Sequence, residues 1–281
     1  MAKVTVATLR EKKKRNEKIT MVTAYDFPSA QMVEEAGLDT ILVGDSLGMA
    51  VLGYETTLPV TMDEMIYHTK AVTRGAPNTF VVADMPFLSY HRSLEETITN
   101  AGRFLQEGGA KAVKLEGGKE QCQKIRTLVE IGIPVLGHIG LTPQSVHQLG
   151  GFKVQGKGAK QAQKLLEDAK SLEDAGAFAV VLECVPAPLA ALITQAISIP
   201  TIGIGAGAGC DGQVLVWHDL LGMSSGTLPR FVKQYADLRR QIVKALGDYK
   251  NDVETSRFPE EKHSFIMDKE NLPRLDPDDK E

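Results

Sequence analysis

The feature that most limits the folds open to this 281-residue sequence is a regular alternation of short apolar runs with longer amphipathic stretches. The runs are rich in Val and Ile, and they span residues 20–25, 40–44, 80–83, 112–115, 135–137, 177–182, 201–205 and 214–217. Such alternation is typical of βα units around a parallel sheet. Eight apolar strands within about 230 residues must be covered on both faces, which favours an α/β fold of the closed (β/α)8 TIM barrel type over a doubly wound open sheet.

Helix-start signals fall between the runs, as a barrel requires. Pro28 suits the first turn of a helix, and two Ser/Thr residues are each followed three positions later by Glu, which is the pattern of a capping box. These pairs are Thr61 with Glu64 and Ser93 with Glu96. The predicted helices therefore have local reasons to begin where they do.

The C-terminal part of the sequence differs in composition from the rest. After Pro229 a helix is predicted to run to about Lys250, and from Asn251 the chain becomes polar and proline-bearing. A polar segment has little apolar surface to bury, so we expect it to be mobile or docked on a partner. We predict a catalytic barrel domain at residues 1–250 and a polar extension at residues 251–281.

Charge and cysteine content argue against several classes of protein. A net charge of −4 argues against a nucleic-acid surface, which needs clustered Lys and Arg, and the basic run at residues 12–18 is interpreted as a solvated helix face. Cys122, Cys184 and Cys210 are too few and too scattered for a disulfide framework or a thiolate metal site. The N-terminus lacks the apolar core of a signal peptide, and no apolar run is long enough to span a bilayer. We expect a cytoplasmic protein without nucleic-acid or membrane partners.

Ionisable residues follow six of the predicted strands directly. They are Asp26, Asp45, Asp84, Glu116, His138 and Glu183. If the strands are parallel, these side chains gather at one rim, where parallel α/β proteins carry their active sites.

Asp45 and Asp84 suggest a magnesium site at that rim. Hard oxygen ligands with water in the remaining positions are what Mg²⁺ prefers. The alternative is that strand-end aspartates only cap the following helices. Acids end strands two, three, four and six together, and this agreement among strands favours the metal interpretation.

Lys114 and Glu116 lie two residues apart on one predicted strand and therefore share a face. The lysine can neutralise a bound carboxylate while Glu116 holds a metal-bound water. An ordinary buried ion pair is the alternative, and the sequence leaves both open.

Glu183 ends the most hydrophobic strand, where a carboxylate is poorly solvated and therefore more basic, as a general base must be. The alternative is a carboxylate held by a salt bridge.

Cys184 should face the other way as a packed thiol, and His138 either hydrogen-bonds a substrate oxygen or orders its loop.

The run Gly203–Gly209 is dense in glycine but weak as a dinucleotide-binding signal, because the residues after it indicate a turn and a strand rather than a helix. In a barrel these glycines would let the backbone approach a ligand or the metal site.

Six segments resemble motifs of the ketopantoate hydroxymethyltransferase family, also called 3-methyl-2-oxobutanoate hydroxymethyltransferases. They are VGDSLG at 43–48, TTLPVT at 56–61, ADMP at 83–86, VKLEG at 113–117, GHIGLTP at 137–143 and IGIGAG at 202–207. The resemblance runs in order from about residue 4 to residue 246, and it does not cover the tail beyond Lys250.

The resemblance implies a barrel of the phosphoenolpyruvate/pyruvate superfamily, assembled as a homodecamer. It also implies transfer of a hydroxymethyl group from 5,10-methylenetetrahydrofolate to 3-methyl-2-oxobutanoate, giving 2-dehydropantoate, the first step of pantothenate biosynthesis. The residues it implies are Asp45 and Asp84 as ligands of Mg²⁺ and as part of the substrate site, Glu116 completing the metal site, Ser46 and Lys114 contacting the ketoacid, and Glu183 as the base.

The chemistry is consistent with this resemblance. Removing the C3 proton of a 2-oxoacid creates an enolate, and Mg²⁺ bound to its oxygens would stabilise the charge that develops. The enolate carbon then attacks the one-carbon unit of the folate, with His138 as a candidate contact to the substrate.

Two other functions remain open at this point. The first is a lyase or mutase of the same superfamily, but those relatives commonly use a KKCGH-type motif that this sequence lacks. The second is a barrel without catalytic activity, which would predict a missing base or metal ligand.

Overall fold

Eight parallel strands close into a barrel in chain order in the computed structural model, which describes residues 3–274. The strands are β1 (Ile19–Thr23), β2 (Thr40–Val43), β3 (Phe80–Asp84), β4 (Ala112–Glu116), β5 (Val135–Gly140), β6 (Ala179–Glu183), β7 (Thr201–Ile204) and β8 (Gly212–Leu215). Each strand pairs with the next, and β8 pairs with β1. The predicted TIM barrel is confirmed, and each predicted apolar run overlaps one strand.

Helices fill most of the connections between the strands. They are α1 (Val6–Lys14), α2 (Phe27–Glu35), α3 (Leu47–Ala50), α4 (Met62–Gly75), α5 (Leu94–Gln106), α6 (Cys122–Glu130), α7 (Val146–Leu149), α8 (Ala159–Asp174), α9 (Ala187–Ala196), α10 (Trp217–Leu220) and α11 (Leu238–Glu254). Short 3-10 turns precede α6 at Lys119–Gln121 and α7 at Pro143–Ser145.

The local signals in the sequence mark the starts of α2, α4 and α5. Pro28 lies in the first turn of α2, and Thr61 forms a reciprocal capping box with Glu64 at the start of α4. The predicted box at α5 is only half formed. Ser93 accepts a hydrogen bond from the Glu96 N–H at 3.0 Å, but the Glu96 carboxylate pairs with Arg92 at 3.0 Å instead of turning back to the cap.

The connection between β7 and β8 departs from the expected strand–helix alternation, because the described residues 205–211 contain no helix. Two glycines of this segment lie tightly against α9. A Cβ at Gly207 would lie 2.5 Å from the Cβ of Ala187, and one at Gly209 would lie 2.8 Å from that of Ala191. The structure thus gives these glycines of the predicted ligand-approach segment a packing role.

The barrel interior is apolar at its amino-terminal end. Phe80 and Phe178 meet edge to face there with ring centroids 5.7 Å apart, and Leu9 of α1 belongs to the same buried cluster. Helix α1 therefore closes this end of the barrel, which we call the bottom. The opposite, carboxyl end, which we call the top, is where barrels of this type have their active sites.

The described residues divide into two compact units between Tyr235 and Ala236. The second unit contains α11, which begins at Leu238 and ends at Glu254, so the prediction of a helix from Pro229 is wrong at its start. Residues 255–274 contain only two 3-10 turns, at Glu261–His263 and Lys269–Asn271. The end of the predicted extension, residues 275–281, lies outside the described residues. Among residues 3–274, no helix is both long and apolar enough to cross a membrane.

Candidate active site

Ionisable side chains replace apolar ones toward the top of the barrel. On β3 the side chains of one face are Phe80, Val82 and Asp84, and the first two lie in the apolar cluster of the interior. The parallel register places Asp84 beside Lys114 on β4. On β4 and β5, Lys114 and His138 likewise follow two residues after Ala112 and Leu136 of the interior cluster. Asp45, Asp84, Lys114, Glu116 and His138 are each at most 4% exposed.

Asp26 is not part of this group. Its side chain is exposed, and it accepts a hydrogen bond at 2.8 Å from the Ser29 N–H as the N-cap of α2. For Asp26 the helix-capping alternative is therefore correct, and only five of the six predicted strand-end residues come together.

Lys114 forms its main ion pair with Asp84. Its Nζ lies 2.6 Å from both oxygens of Asp84 and 4.0 Å from Oε1 of Glu116. Burial disfavours the charge on Lys114, but the carboxylates around it outweigh burial and raise the pKa of its ammonium group. The predicted shared face of Lys114 and Glu116 is confirmed, although the closer partner of Lys114 comes from the adjacent strand.

His138 lies between two carboxylates. Its Nδ1 is 3.5 Å from Oε1 of Glu116, and its Nε2 is 3.2 Å from Oε2 of Glu183. Neither nitrogen has a contact with hydrogen-bond geometry among the described residues. Burial and Lys114 disfavour the imidazolium, but the two carboxylates prevail and raise the pKa of His138 to about 9. His138 thus supplies a second positive charge, held between two carboxylates without a well-aligned hydrogen bond to either of them.

The three buried acids differ in how readily they ionise. Burial, followed by the charges of Asp84 and Glu116, raises the pKa of Asp45 well above its usual value. Burial also raises the pKa of Asp84, although Lys114 opposes it. Burial disfavours ionisation of Glu116 too, but His138 and Lys114 prevail and lower the pKa of that carboxyl group. Ionisation is therefore disfavoured at Asp45 and Asp84 and favoured at Glu116.

Glu183 is the most accessible acid of the group, with 16% of its side chain exposed. Its carbonyl accepts a hydrogen bond from the Leu141 N–H at 2.8 Å and lies so close to Gly140 that any Cβ there would clash with it. Cys184, the next residue, has a φ of 49°, and burial raises the pKa of its thiol to about 11. The backbone around Glu183 is thus held by these contacts, and Cys184 is half-buried with a thiol whose ionisation is disfavoured by burial.

Ser46 lies beside Asp45 at the end of β2, and its Oγ is 2.8 Å from the hydroxyl of Tyr25. Tyr25 also stacks on the ring of His218, with centroids 5.6 Å apart. The Asp45 N–H donates to Oδ2 of Asp84 at 3.3 Å, so the segment that carries Ser46 is hydrogen-bonded to the acids of the rim. Tyr25 orients Ser46, and our sequence interpretation missed it even though it precedes Asp26 at a strand end.

Gln144 and Tyr90 were missed as well. Both are buried, and together they contact the acids of β2 and β4. Gln144 directly follows the GHIGLTP segment, so its sequence position marks it as close to the rim. The sequence contains no signal for the contact of Tyr90, because that contact depends on how the loop after β3 folds.

The site suits a hard divalent cation in donor chemistry and in charge. Four carboxylates face two cations, Lys114 and His138, so the fully ionised group has an excess of two negative charges. Mg²⁺ is commonly held by one or two carboxylates, with water and substrate oxygens completing its shell. Within residues 3–274, no three His, Cys, Asp or Glu side chains already lie close enough to ligate one ion. The donors fit Mg²⁺ bound through Asp45 and Asp84, and metal binding stays a prediction.

Comparison with known proteins agrees with the sequence motifs. The family model described as ketopantoate hydroxymethyltransferase matches residues 3–261. A 3-methyl-2-oxobutanoate hydroxymethyltransferase from Carboxydothermus hydrogenoformans is 62% identical over 98% of this chain and 100% of the relative. One from Syntrophomonas wolfei is 59% identical over the same shares of the two chains.

Solved structures with much lower identity share the fold. A 2,3-dimethylmalate lyase matches with a TM-score of 0.59 at 19% identity, covering 96% of this chain and 92% of the lyase. A phosphonopyruvate hydrolase, solved with oxalate and Mg²⁺, matches with a TM-score of 0.59 at 12% identity, covering 94% and 93%. These likenesses support the barrel, while the family match and the close relatives establish the kinship. This chain belongs to the ketopantoate hydroxymethyltransferase family.

Proposed function

We propose that this protein transfers a hydroxymethyl group from 5,10-methylenetetrahydrofolate to 3-methyl-2-oxobutanoate, giving 2-dehydropantoate in pantothenate biosynthesis. The observation that carries the proposal is the position of Glu183. It is the acid of the rim that retains solvent access, and it lies 3.2 Å from a histidine whose ring nitrogens lack hydrogen-bond partners among residues 3–274. Family membership and the names of the close relatives support the substrate and the group transferred.

Three side chains would hold the ketoacid. Lys114 offers a positive charge to its carboxylate, and Ser46, oriented by Tyr25, offers a hydroxyl group. His138 can direct an N–H toward a substrate oxygen, because both of its nitrogens lack hydrogen-bond geometry with the described residues. Together these groups fix the ketoacid with its C3 facing the exposed side of the rim.

Glu183 would act as the general base. It takes the proton from C3, and the electron pair of the broken C–H bond moves into the C2–C3 bond and onto the ketone oxygen. His138 Nε2 lies 3.2 Å from Oε2 of Glu183, which places the imidazole beside the carboxylate that takes the proton. C3 then forms a bond to the one-carbon unit of the folate. As that bond forms, one of the two C–N bonds that hold the methylene carbon breaks. Water then displaces the second folate nitrogen and supplies the hydroxyl oxygen, and the two nitrogens take up the proton from Glu183 and one proton from water.

Mg²⁺ would be held by Asp45 and Asp84, with Glu116 as the predicted further ligand. When bound, the ion supplies Lewis-acid stabilisation of negative charge on the oxygens of the ketoacid. Its two positive charges match the excess of two negative charges of the fully ionised group. The acidic residues would then serve binding and orientation, and Glu183 alone would move the proton.

Proton–deuterium exchange at C3 of 3-methyl-2-oxobutanoate, followed by NMR, tests the proposal. We expect exchange with protein and Mg²⁺, little exchange after chelation, and hydroxymethylated product only when methylenetetrahydrofolate is added. Cleavage or rearrangement of 2-oxoacids without exchange or product would contradict the transferase function while leaving the fold assignment intact.

We further propose a homo-oligomer, with ten subunits as the family resemblance implies, working in the cytoplasm. A row of apolar side chains on α11 supports assembly, because residues spaced three and four apart share one helix face. They are Ile242, Leu246, Tyr249 and Val253, and each is at least 44% exposed. Light scattering of the purified protein tests the assembly. A monomeric mass at micromolar concentration would contradict it.

A further inference from the structure

Gln144 binds the ends of three strands that carry the acids of the site. It lies in the 3-10 turn after β5, and only 5% of the residue is exposed. Its Nε2 donates to Oδ2 of Asp45 at 2.8 Å and to the carbonyl of Met85, which follows Asp84, at 2.9 Å. Its backbone N–H donates to Oε2 of Glu116 at 3.0 Å. One residue therefore contacts the carboxyl ends of β2, β3 and β4.

Tyr90 fixes the orientation of the Gln144 amide. The Tyr90 hydroxyl donates to Oε1 of Gln144 at 2.7 Å and accepts from the Glu116 N–H at 3.1 Å. A flipped amide would place its oxygen against the carboxylate of Asp45 and the carbonyl of Met85, two acceptors that cannot donate to it. The amide thus has a single favourable orientation, with both N–H groups and its oxygen used.

These contacts leave a defined set of oxygens for a ligand. Asp45 is held through Oδ2, and Glu116 is held through Oε2 by the Gln144 N–H. Oε1 of Glu116 faces His138 at 3.5 Å. Each carboxylate therefore has one oxygen held by Gln144, and among the described residues Oδ1 of Asp45 has no hydrogen bond.

We propose that Gln144, itself held by Tyr90, is a positioning residue that orients the carboxylates of Asp45 and Glu116 and thereby sets the affinity of the site for a divalent cation. The inference rests on the proposed function in one respect, namely that a divalent cation binds at Asp45 and Asp84. Outer residues that hydrogen-bond ligating carboxylates typically contribute a factor of about 10–100 to metal affinity. The contribution arises because the carboxylate is already oriented in the folded protein, so that metal binding does not have to supply the free energy of orienting it.

The test is a titration of metal-free protein with Mn²⁺, with free Mn²⁺ measured by electron paramagnetic resonance. Mn²⁺ suits carboxylate ligands as Mg²⁺ does. Gln144→Met keeps the length of the side chain and removes the three hydrogen bonds of the amide group, while the bond from the backbone N–H to Glu116 stays. We expect the Mn²⁺ dissociation constant of this variant to rise about 10–100-fold. Tyr90→Phe removes only the hydroxyl group, and we expect a several-fold rise in the same direction.

Gln121 provides the matched control. It is a buried glutamine in the short turn before α6, with 6% exposure, and its Oε1 accepts a hydrogen bond from Lys124 at 2.7 Å. Gln121→Met should lower the melting temperature of the metal-free protein to a similar extent as Gln144→Met while leaving the Mn²⁺ affinity within about twofold of the original. A purely structural role for Gln144 would make the two variants behave alike in both measurements.

The outcomes separate this inference from the proposed function. If the unmodified protein binds Mn²⁺ and Gln144→Met binds it equally tightly, the positioning role is overturned and the transferase proposal stands. If the unmodified protein binds no divalent cation, the metal part of the proposed function fails first and the inference falls with it. If Gln144→Met does not fold, Tyr90→Phe decides, since unchanged affinity in that variant overturns the inference.

Discussion

The two ends of the barrel both contain acidic side chains, but they use them differently. At the bottom, Asp39 accepts hydrogen bonds from the N–H and hydroxyl of Thr20 at 2.8 and 2.9 Å, and Asp211 accepts from the same groups of Thr201 at 2.9 and 3.2 Å. Each also pairs with a lysine of α1. These carboxylates have their partners within the chain and join neighbouring strands to the closing helix.

At the top, the acids are crowded together with fewer partners than they can use. Asp45 has one side-chain hydrogen bond, from Gln144, and the negative charges of Asp84 and Glu116 lie nearby. We expect such an arrangement to cost stability in the metal-free protein and to become favourable if a cation and an anionic substrate bind as proposed. The bottom acids are matched by lysines of α1, whereas the top group of four carboxylates and two cations keeps an excess of negative charge when fully ionised, as the proposed cation site requires.

The largest expected effect is on catalysis at the top. Glu183→Gln keeps the shape of the side chain and removes the base, so we expect the C3 exchange rate to fall about 10²–10⁴-fold. Mn²⁺ and ketoacid binding should stay nearly unchanged, because Glu183 lies outside the pair formed by Asp45 and Asp84. The measurement is C3 exchange by NMR. A variant that exchanged at the original rate would remove Glu183 as the base.

A change at the bottom should affect stability and leave catalysis intact. Asp39→Asn loses the charge that pairs with α1 and weakens the bonds from Thr20, so we expect a loss of about 2 kcal/mol in the free energy of unfolding. Urea denaturation measures this, and C3 exchange should stay within about twofold. A comparable loss of exchange would show that the two ends are not separate in function.

The reverse result is expected for an acid of the top. Asp45→Asn removes a charge whose ionisation is disfavoured in the metal-free protein, first by burial and then by Asp84 and Glu116, which together raise the pKa of Asp45. We expect the metal-free variant to be as stable as the original or more stable by about 1 kcal/mol, while stabilisation by Mg²⁺ disappears. Urea denaturation with and without Mg²⁺ measures both effects. If the metal-free variant were less stable than the original, Asp45 would serve stability as the bottom acids do, and the difference between the two ends would not hold.

The smallest expected effect is on the stability of the protein at acid pH, and it involves Glu34 at the bottom of the barrel. Burial opposes ionisation of Glu34, but hydrogen bonds from Asn78 and Thr79 prevail and lower its pKa below the usual 4.5. Because the pKa is lower in the folded than in the unfolded state, the stabilisation is complete above about pH 4.5 and is lost as the pH falls through the folded pKa. Melting temperatures across this range should fall less steeply for Glu34→Gln. If the melting temperature depended on pH in the same way in the original protein and in Glu34→Gln, a contribution of Glu34 to stability would be ruled out.

Much of the site could be predicted from the sequence because a strand fixes the positions of its own side chains. The two-residue period of β4 puts Lys114 and Glu116 on one face, and both are found at the rim. The prediction was wrong for Asp26, which caps α2 instead. A strand-end aspartate and a helix N-cap have the same sequence pattern, so only the position of the next helix distinguishes them.

By itself, the sequence determined the number and order of the strands and the acids that end them, because local periodicity and strand length are enough to set both. The tertiary structure decided which strand supplies the partner of Lys114, how the glycines after β7 pack on α9, and that Gln144 and Tyr90 contact the acids of other strands. These contacts join residues far apart in the chain. Their geometry depends on barrel closure and loop paths, which no local pattern encodes.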